Sequence, residues 1–307
     1  MAKKYQEVPS NFKAFEDYII CKKDEVVSTF TEAYKCLFYD TCSILHHSNS
    51  TNRQAIINYL KGESDTIIVT RTVLMELTAN SLELHPVQIQ YFKELFESGF
   101  KIILFDEELI LYCLKEVLSI STEDANKLLG YAVKEISKSK SKTYQIIESM
   151  DKLISNKLKG SNPGNKELFS SFFQYARTLK SEGDSIAEEL ILICIIVLTK
   201  IPFGKYVLIS DDMRIRSQVI SVNGYVLRHH ERKEPYQLTT ASLIYKMYKK
   251  SVLVSKAEML EIMQSAFKGK VNVFFIGEYD IKEEYQSFDC EDLIDRLIKE
   301  KDFKIIY

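Results

Sequence analysis

Short apolar runs alternate with stretches of helical spacing through the first third of the chain. Lys35-Cys36-Leu37-Phe38-Tyr39 ends on Asp40, Thr66-Ile67-Ile68-Val69-Thr70 is rich in β-branched residues, and Lys101-Ile102-Ile103-Leu104-Phe105 follows Gly99. Runs of this length predict strands. Between them the spacing predicts helices over 53–60, from Val73 to Leu77, and from Pro86 to about Ser98. Such alternation argues for a parallel sheet of the α/β class. From 106 to 181 the pattern changes. Leu109, Leu114 and Leu118, then Leu129, Val133 and Ile136, then Ile146, Met150 and Leu153 recur at helical spacing, and a polar break at 159–165 precedes an amphipathic stretch through Phe172, Phe173 and Ala176. This predicts a helical insertion that either covers a sheet edge or forms a lid over a substrate. The α/β pattern resumes with a helix opened by Asp184 and apolar nearly all round to Leu198. A strand at Tyr206-Val207-Leu208-Ile209-Ser210 then ends on Asp211 and Asp212, with a fifth strand expected at Gly224-Tyr225-Val226-Leu227 and a closing helix at 240–249. The residues before the first strand read as a polar, helical lead-in. After 255 the order is helix, strand (271–276), helix (289–299) and a last apolar piece at 303–307.

Charge and composition narrow the function. The chain carries 41 Lys+Arg against 43 Asp+Glu, a formal charge of −2, so any nucleic-acid contact has to be a local patch rather than a bulk polycation. With 46% apolar residues it has the material for a sizeable core, which excludes disorder over the whole length. Only 10 Gly and 5 Pro punctuate it, which implies long uninterrupted elements, mostly helices. The longest apolar run, 190–198, is shorter than the about 20 residues a membrane helix needs, and the segment from Met1 to Glu7 lacks the apolar centre of a signal peptide. Cys21, Cys36, Cys42, Cys113, Cys194 and Cys290 form no C-x-x-C pair and no disulfide framework. The expected setting is therefore a reducing cytoplasm without a membrane partner.

The chemistry lies in the acids. Ligands of an open parallel sheet sit beyond the carboxyl ends of its strands. Asp40 and the pair Asp211 and Asp212 fall where strands should end, while Glu76 and Asp184 lie on helices that start at the same edge. With no lysine expected nearby, converging carboxylates repel one another unless a hard divalent cation such as Mg²⁺ or Mn²⁺ sits among them. An acid cluster without Cys or His ligands fits metal-dependent phosphoryl transfer. Three of these acids also have a purely local role open to them, which Glu76, flanked by Met75 and Leu77, resists. Asp40 suits a turn, Asp212 a helix cap, and Asp184 a cap next to an S-x-x-E capping box of Ser185 and Glu188.

The ordered set carries a family resemblance. Leu37-Phe38-Tyr39-Asp40-Thr41-Cys42-Ser43-Ile44-Leu45 resembles the opening strand of PIN-domain nucleases. Val73-Leu74-Met75-Glu76-Leu77 is similar to their second acidic motif, Gly183-Asp184-Ser185-Ile186-Ala187 to the third, and Leu208-Ile209-Ser210-Asp211-Asp212 to the fourth. The resemblance covers roughly 33–105 and 182–250, and leaves out the lead-in (1–32), the insertion (106–181) and an extension at 255–307. It implies a PIN-like parallel β-sheet flanked by helices over 33–254, with the insertion inside it and a small α+β extension behind. It also implies Asp40, Glu76, Asp184 and Asp212 as catalytic metal ligands, with Asp211 as a further ligand and Thr41, Glu188 and Ser210 as auxiliaries. The expected activity is endoribonuclease cleavage with Mg²⁺ or Mn²⁺, leaving 5′-phosphate and 3′-hydroxyl ends, on single-stranded or structured RNA. Arg214 and Arg216 after the fourth motif, and Arg53 and Arg71 beside the first two, are the candidate phosphate contacts. A basic run at 134–142 is either a further grip on the strand or a solvated face.

Two rivals stand beside this reading: an inactive PIN-like scaffold that binds RNA or protein, and a flap-type DNA nuclease on the same fold. A protein inhibitor or partner and a homo-oligomer also stay open. His46-His47 and His229-His230 lack partners at zinc-ligand spacing, no G-x-x-x-x-G-K-S/T or G-x-G-x-x-G occurs, and no G-x-S-x-G supports a serine hydrolase.

Overall fold

Four of the apolar runs form strands with their faces covered: β1 (Lys35–Tyr39), β2 (Thr66–Thr70), β3 (Lys101–Phe105) and β4 (Lys205–Ile209). With β5 (Tyr236–Leu238) they make one parallel sheet in the order β3-β2-β1-β4-β5. This topology comes from a computed structural model that describes residues 3–137, 141–160, 162–202, 204–230, 236–277, 283–300 and 302–306. Helix α1 (Lys23–Glu32) precedes the sheet, α2 (Thr41–Asn49) and α3 (Arg53–Glu63) join β1 to β2, and α4 (Arg71–Thr78) and α5 (Pro86–Glu97) join β2 to β3. The insertion supplies α6 (Ile110–Leu118), α7 (Thr122–Ile136), α8 (Lys142–Ser149), α9 (Lys152–Lys159) and α10 (Phe169–Thr178). Next come α11 (Ile186–Leu198), which leads into β4, then α12 (Arg216–His230) before β5 and α13 (Thr240–Lys249) after it. The chain continues through α14 (Lys256–Ala266), β6 (Lys270–Ile276), β7 (Glu284–Asp289), α15 (Cys290–Lys299) and β8 (Lys304–Ile305), whose strands form an antiparallel sheet in the order β7-β6-β8. The fold is thus α/β with a helical insertion and a small α+β extension. Among the described residues no helix is long and apolar enough to cross a membrane.

Three local expectations are corrected. The segment Gly224-Tyr225-Val226-Leu227 is helical, inside α12, because Ile215, Val219 and Val222 are buried at helical spacing and carry the preceding turns on that register. The fifth strand is instead β5. Strand β7 left no apolar signature because it is an edge strand on which Phe288 alone is buried. The lead-in is not a continuous helix: turns of 3₁₀-helix at Phe12–Ala14 and Glu16–Tyr18 precede α1, and Ile20 extends the sheet edge by bridging to Ile103.

Every side chain of α11 from Ile186 to Leu198 is buried. The reason is positional, since the insertion helices α6, α7, α8 and α10 all pack against it. The insertion therefore makes α11 a central helix, which explains its lack of a polar face. Buried Asn126 ties down the polar break, donating to the carbonyls of Gly164 (2.9 Å) and Lys166 (2.7 Å) and accepting from Leu168 N–H. Of the basic run at 134–142, residues 138–140 lie outside the described residues, as do the side chains of His229 and His230.

Two ion pairs that share Glu63 close the far side of the sheet. Glu63, at the end of α3, accepts from Lys35 Nζ at the start of β1 and from Lys250 Nζ just after α13, each at 2.6 Å. Burial alone would raise the Glu63 carboxyl, but the two lysines more than offset it and hold it down at about 2. A depressed acid adds stability above its unfolded value and loses it as pH falls through the folded one. Glu63→Gln is therefore expected to cost about 1–2 kcal/mol near pH 7, allowing for the solvent exposure of Lys250. In urea titrations the gap between variant and wild type should narrow between about pH 4.5 and pH 2; a gap independent of pH would contradict the pairing.

Candidate functional site

The order β3-β2-β1-β4-β5 reverses direction between β1 and β4, which is where open parallel sheets place their ligands. Tyr39 pairs with Ile209 in register, so Asp40 and Ser210 emerge side by side. Asp40 caps α2 through Thr41 N–H at 2.7 Å, and its other oxygen accepts from Ser210 Oγ and Cys42 Sγ, both at 2.9 Å. Burial, and next the negative charge of Glu76, push the Asp40 carboxyl up to about 6 against these hydrogen bonds. Thr70 caps α4, which lifts Glu76 toward α2, where Thr41 Oγ1 donates to it.

Asp184 stands before α11, accepting from Ser181 N–H (2.6 Å), Ser181 Oγ (2.9 Å) and Ile186 N–H (3.1 Å). The expected Ser185–Glu188 capping box does not form. Ser185 Oγ donates to Glu189 instead, and Glu189 holds the start of α8 through Thr143 N–H and Oγ1 at 2.7 Å. Glu188 is thereby released to face the acids. It is 6% exposed, its Oε2 has no hydrogen-bond partner among the described residues, and burial followed by the charges of Asp40 and Glu76 drives its carboxyl up to about 9.

Asp40, Thr41, Glu76, Asp184 and Glu188 line a common cleft of about 520 Å³. Asp212 sits beside it, within reach of the Glu188 side chain and clamped by Arg214 through Nε and Nη2 at 2.6–2.9 Å. Burial would raise the Asp212 carboxyl, and Arg214 brings it below its ordinary value. Asp211 points elsewhere. It accepts from His46 Nδ1 (3.0 Å), Thr240 N–H (2.6 Å) and Thr240 Oγ1 (2.7 Å), and His47 continues this buried chain between Thr240 and Tyr39. Asp211 thus ties β4 to α2 and α13, and Asp212 is the member of the pair that joins the cluster.

The expectation of an acid cluster without a lysine is corrected. Lys180, with its side chain 2% exposed, forms ion pairs with both Glu76 and Asp184. Its signal was present in the sequence as i,i+4 spacing to Asp184, one turn before the third motif. Tyr5 of the lead-in lines the same cleft and lies 5.7 Å from the Lys180 ammonium by its ring centroid. The arginines are distributed unevenly. Arg214 is at the rim, whereas Arg53 pairs with Glu94, Arg71 with Asp106, and Arg216 with Glu283 while stacking on Phe274.

With Lys180 and Arg214 in place, no three His, Cys, Asp or Glu side chains among the described residues are arranged to grip a metal ion as they stand. The donor set still suits a hard cation: every acid in the cleft offers oxygen, and Glu188 Oε2 is a buried, unpartnered acceptor within it. No family profile, no curated protein and no solved structure matches this chain.

Proposed function

We propose that this protein is a metal-dependent endoribonuclease of PIN-like type, cutting phosphodiester bonds at the cleft between the ends of β1 and β4. The observation that carries this reading is the convergence of Asp40, Glu76, Asp184 and Glu188 on one cleft at the reversal of strand order, with Glu188 Oε2 buried and unpartnered. Asp40, Glu188 and Asp212, with Glu76 and Asp184 beside them, would hold Mg²⁺ or Mn²⁺. When bound, the ion activates a water and neutralises charge on the phosphate.

The chain's own residues prepare that chemistry. Ser210 and Thr41 N–H fix the two oxygens of Asp40, while Thr41 Oγ1 orients Glu76. Arg214, two-thirds exposed, is the cation at the rim that can exchange Asp212 for a substrate phosphate. The rival reading, a scaffold that binds RNA without cutting, draws on the same Arg214 and Lys180 contacts, which already engage three of the acids.

Incubation with end-labelled single-stranded RNA and a matched DNA, in Mn²⁺, Mg²⁺ or EDTA, separates these outcomes. Cleavage of RNA with either metal and none with EDTA is expected. Cleavage of the DNA alone would move the substrate class, and binding of RNA without cleavage in either metal would favour the scaffold.

A further inference from the structure

We propose that Lys180 is a resident cation of this site: its ammonium fills the position between Glu76 and Asp184 that a second divalent ion would otherwise take. The inference rests on the nuclease reading above. The side chain of Lys180 is 2% exposed, and its Nζ reaches Glu76 Oε1 and Asp184 Oδ1 together. A lysine is seldom buried to this extent unless it is paired, and losing one partner of such a pair is costly, so the contact is built rather than incidental.

The backbone around it is fixed from both sides. Lys180 N–H donates to the Arg177 carbonyl at 3.1 Å, and Arg177 is itself anchored by Glu107 and Glu108. On the other side Ser181 N–H and Oγ hold the second oxygen of Asp184, so one carboxylate oxygen is committed to Ser181 and the other is shared by Lys180 and the Ile186 N–H. Glu76 is divided the same way, with Thr41 Oγ1 on Oε2 and Lys180 on Oε1. What remains open toward a small cation is the other half of the cleft, where Glu188 Oε2 is buried without a partner among the described residues and Asp40 lines the same space.

Charge gives the same answer. Counted as fully ionised, as a bound cation would require, the five carboxylates Asp40, Glu76, Asp184, Glu188 and Asp212 face the two cations Lys180 and Arg214. One divalent ion brings their formal charges to within one unit of balance while leaving the site negative. A second would make it positive only by crowding the lysine. Lys180 then acts as a positioning residue, bridging Glu76 and Asp184 and presenting a fixed positive charge to the substrate phosphate.

Titration calorimetry of the full chain with manganese chloride, without nucleic acid, reads this directly. Wild type should bind one Mn²⁺, Lys180→Arg should also bind one, and Lys180→Met should bind two. Far-ultraviolet circular dichroism is recorded on each variant to confirm folding, and the wild-type stoichiometry stands without any variant. Two ions in wild type, or a single ion in folded Lys180→Met, would overturn the Lys180 inference and leave the nuclease reading in place. No ion in wild type would overturn both.

Discussion

Asp40→Asn should reduce cleavage of single-stranded RNA by about 10³-fold, the scale seen when one preorganised charge-stabilising group is removed from an active site. The side chain keeps its size, so the cap on Thr41 N–H survives through the amide oxygen, and Ser210 Oγ can turn to accept instead of donate. The fold should not suffer. Burial and Glu76 both disfavour the Asp40 carboxylate, so removing its charge relieves the folded protein, and the melting temperature without added metal should equal or exceed that of wild type. Added Mn²⁺ is then the discriminating condition. A ligand that binds the native state stabilises it in proportion to the logarithm of its excess over the dissociation constant, about 2.7 kcal/mol at a hundredfold excess. Wild type should therefore melt higher with Mn²⁺, and Asp40→Asn should not respond. A variant that keeps more than about a tenth of the activity, or that gains the same thermal shift, would remove Asp40 from the site.

The parts of this arrangement legible in the sequence are those with strong local signals. β1 to β4 carry apolar runs, and β1 and β2 lead directly into a polar residue, Asp40 or Thr70, that caps the next helix, so strand ends and candidate acids appear together. Asp40, Glu76, Asp184 and the Asp211–Asp212 pair fall on one edge by that logic, whereas Glu188 enters only as an auxiliary that the resemblance implies. Long-range pairing was not legible. Whether Asp211 or Asp212 joins the cluster depends on Thr240, contributed from a helix beyond β5. The segment around Gly224 has a β-like composition, and helical burial at Ile215, Val219 and Val222 outweighs it. Lys180 is not legible because it precedes the motif to which it belongs, and because the insertion that positions it has no counterpart in the resemblance. The arginines expected near phosphates illustrate the same limit: Arg53 and Arg71 are close to the motifs in sequence, yet Glu94 and Asp106 hold them.

Arg177→Met is expected to destabilise the protein by about 3–5 kcal/mol, the largest effect on stability anticipated for a single residue here. The Arg177 side chain is 3% exposed and meets three acids: Glu107 at 2.7 Å, Glu108 at 2.8 Å and Glu7 at 2.8 Å. Glu107 has no exposed surface, and its other oxygen accepts from Thr72 N–H (3.0 Å) and Oγ1 (2.7 Å), which lie in the first turn of α4. Burial opposes the charge on Arg177, and the two glutamates restore and exceed it. Methionine fills similar space but leaves Glu107 charged in a dry environment, which is the costly state. Arg177→Met combined with Glu107→Gln should recover part of the loss, with a coupling of about 0.5–3 kcal/mol in a double-mutant cycle measured by urea unfolding. Strict additivity of the two substitutions would show that they do not act through this contact. Because the network joins α10 to α4, its loss should also be felt at the cleft. Glu76 lies four residues after Thr72, and Lys180 three residues after Arg177, so both partners of that ion pair lose their support together. The insertion thus does more than cover α11. Through Arg177 it supports the lysine that bridges two acids of the cleft, and on the proposed reading metal affinity in Arg177→Met should fall even under conditions where the variant remains folded.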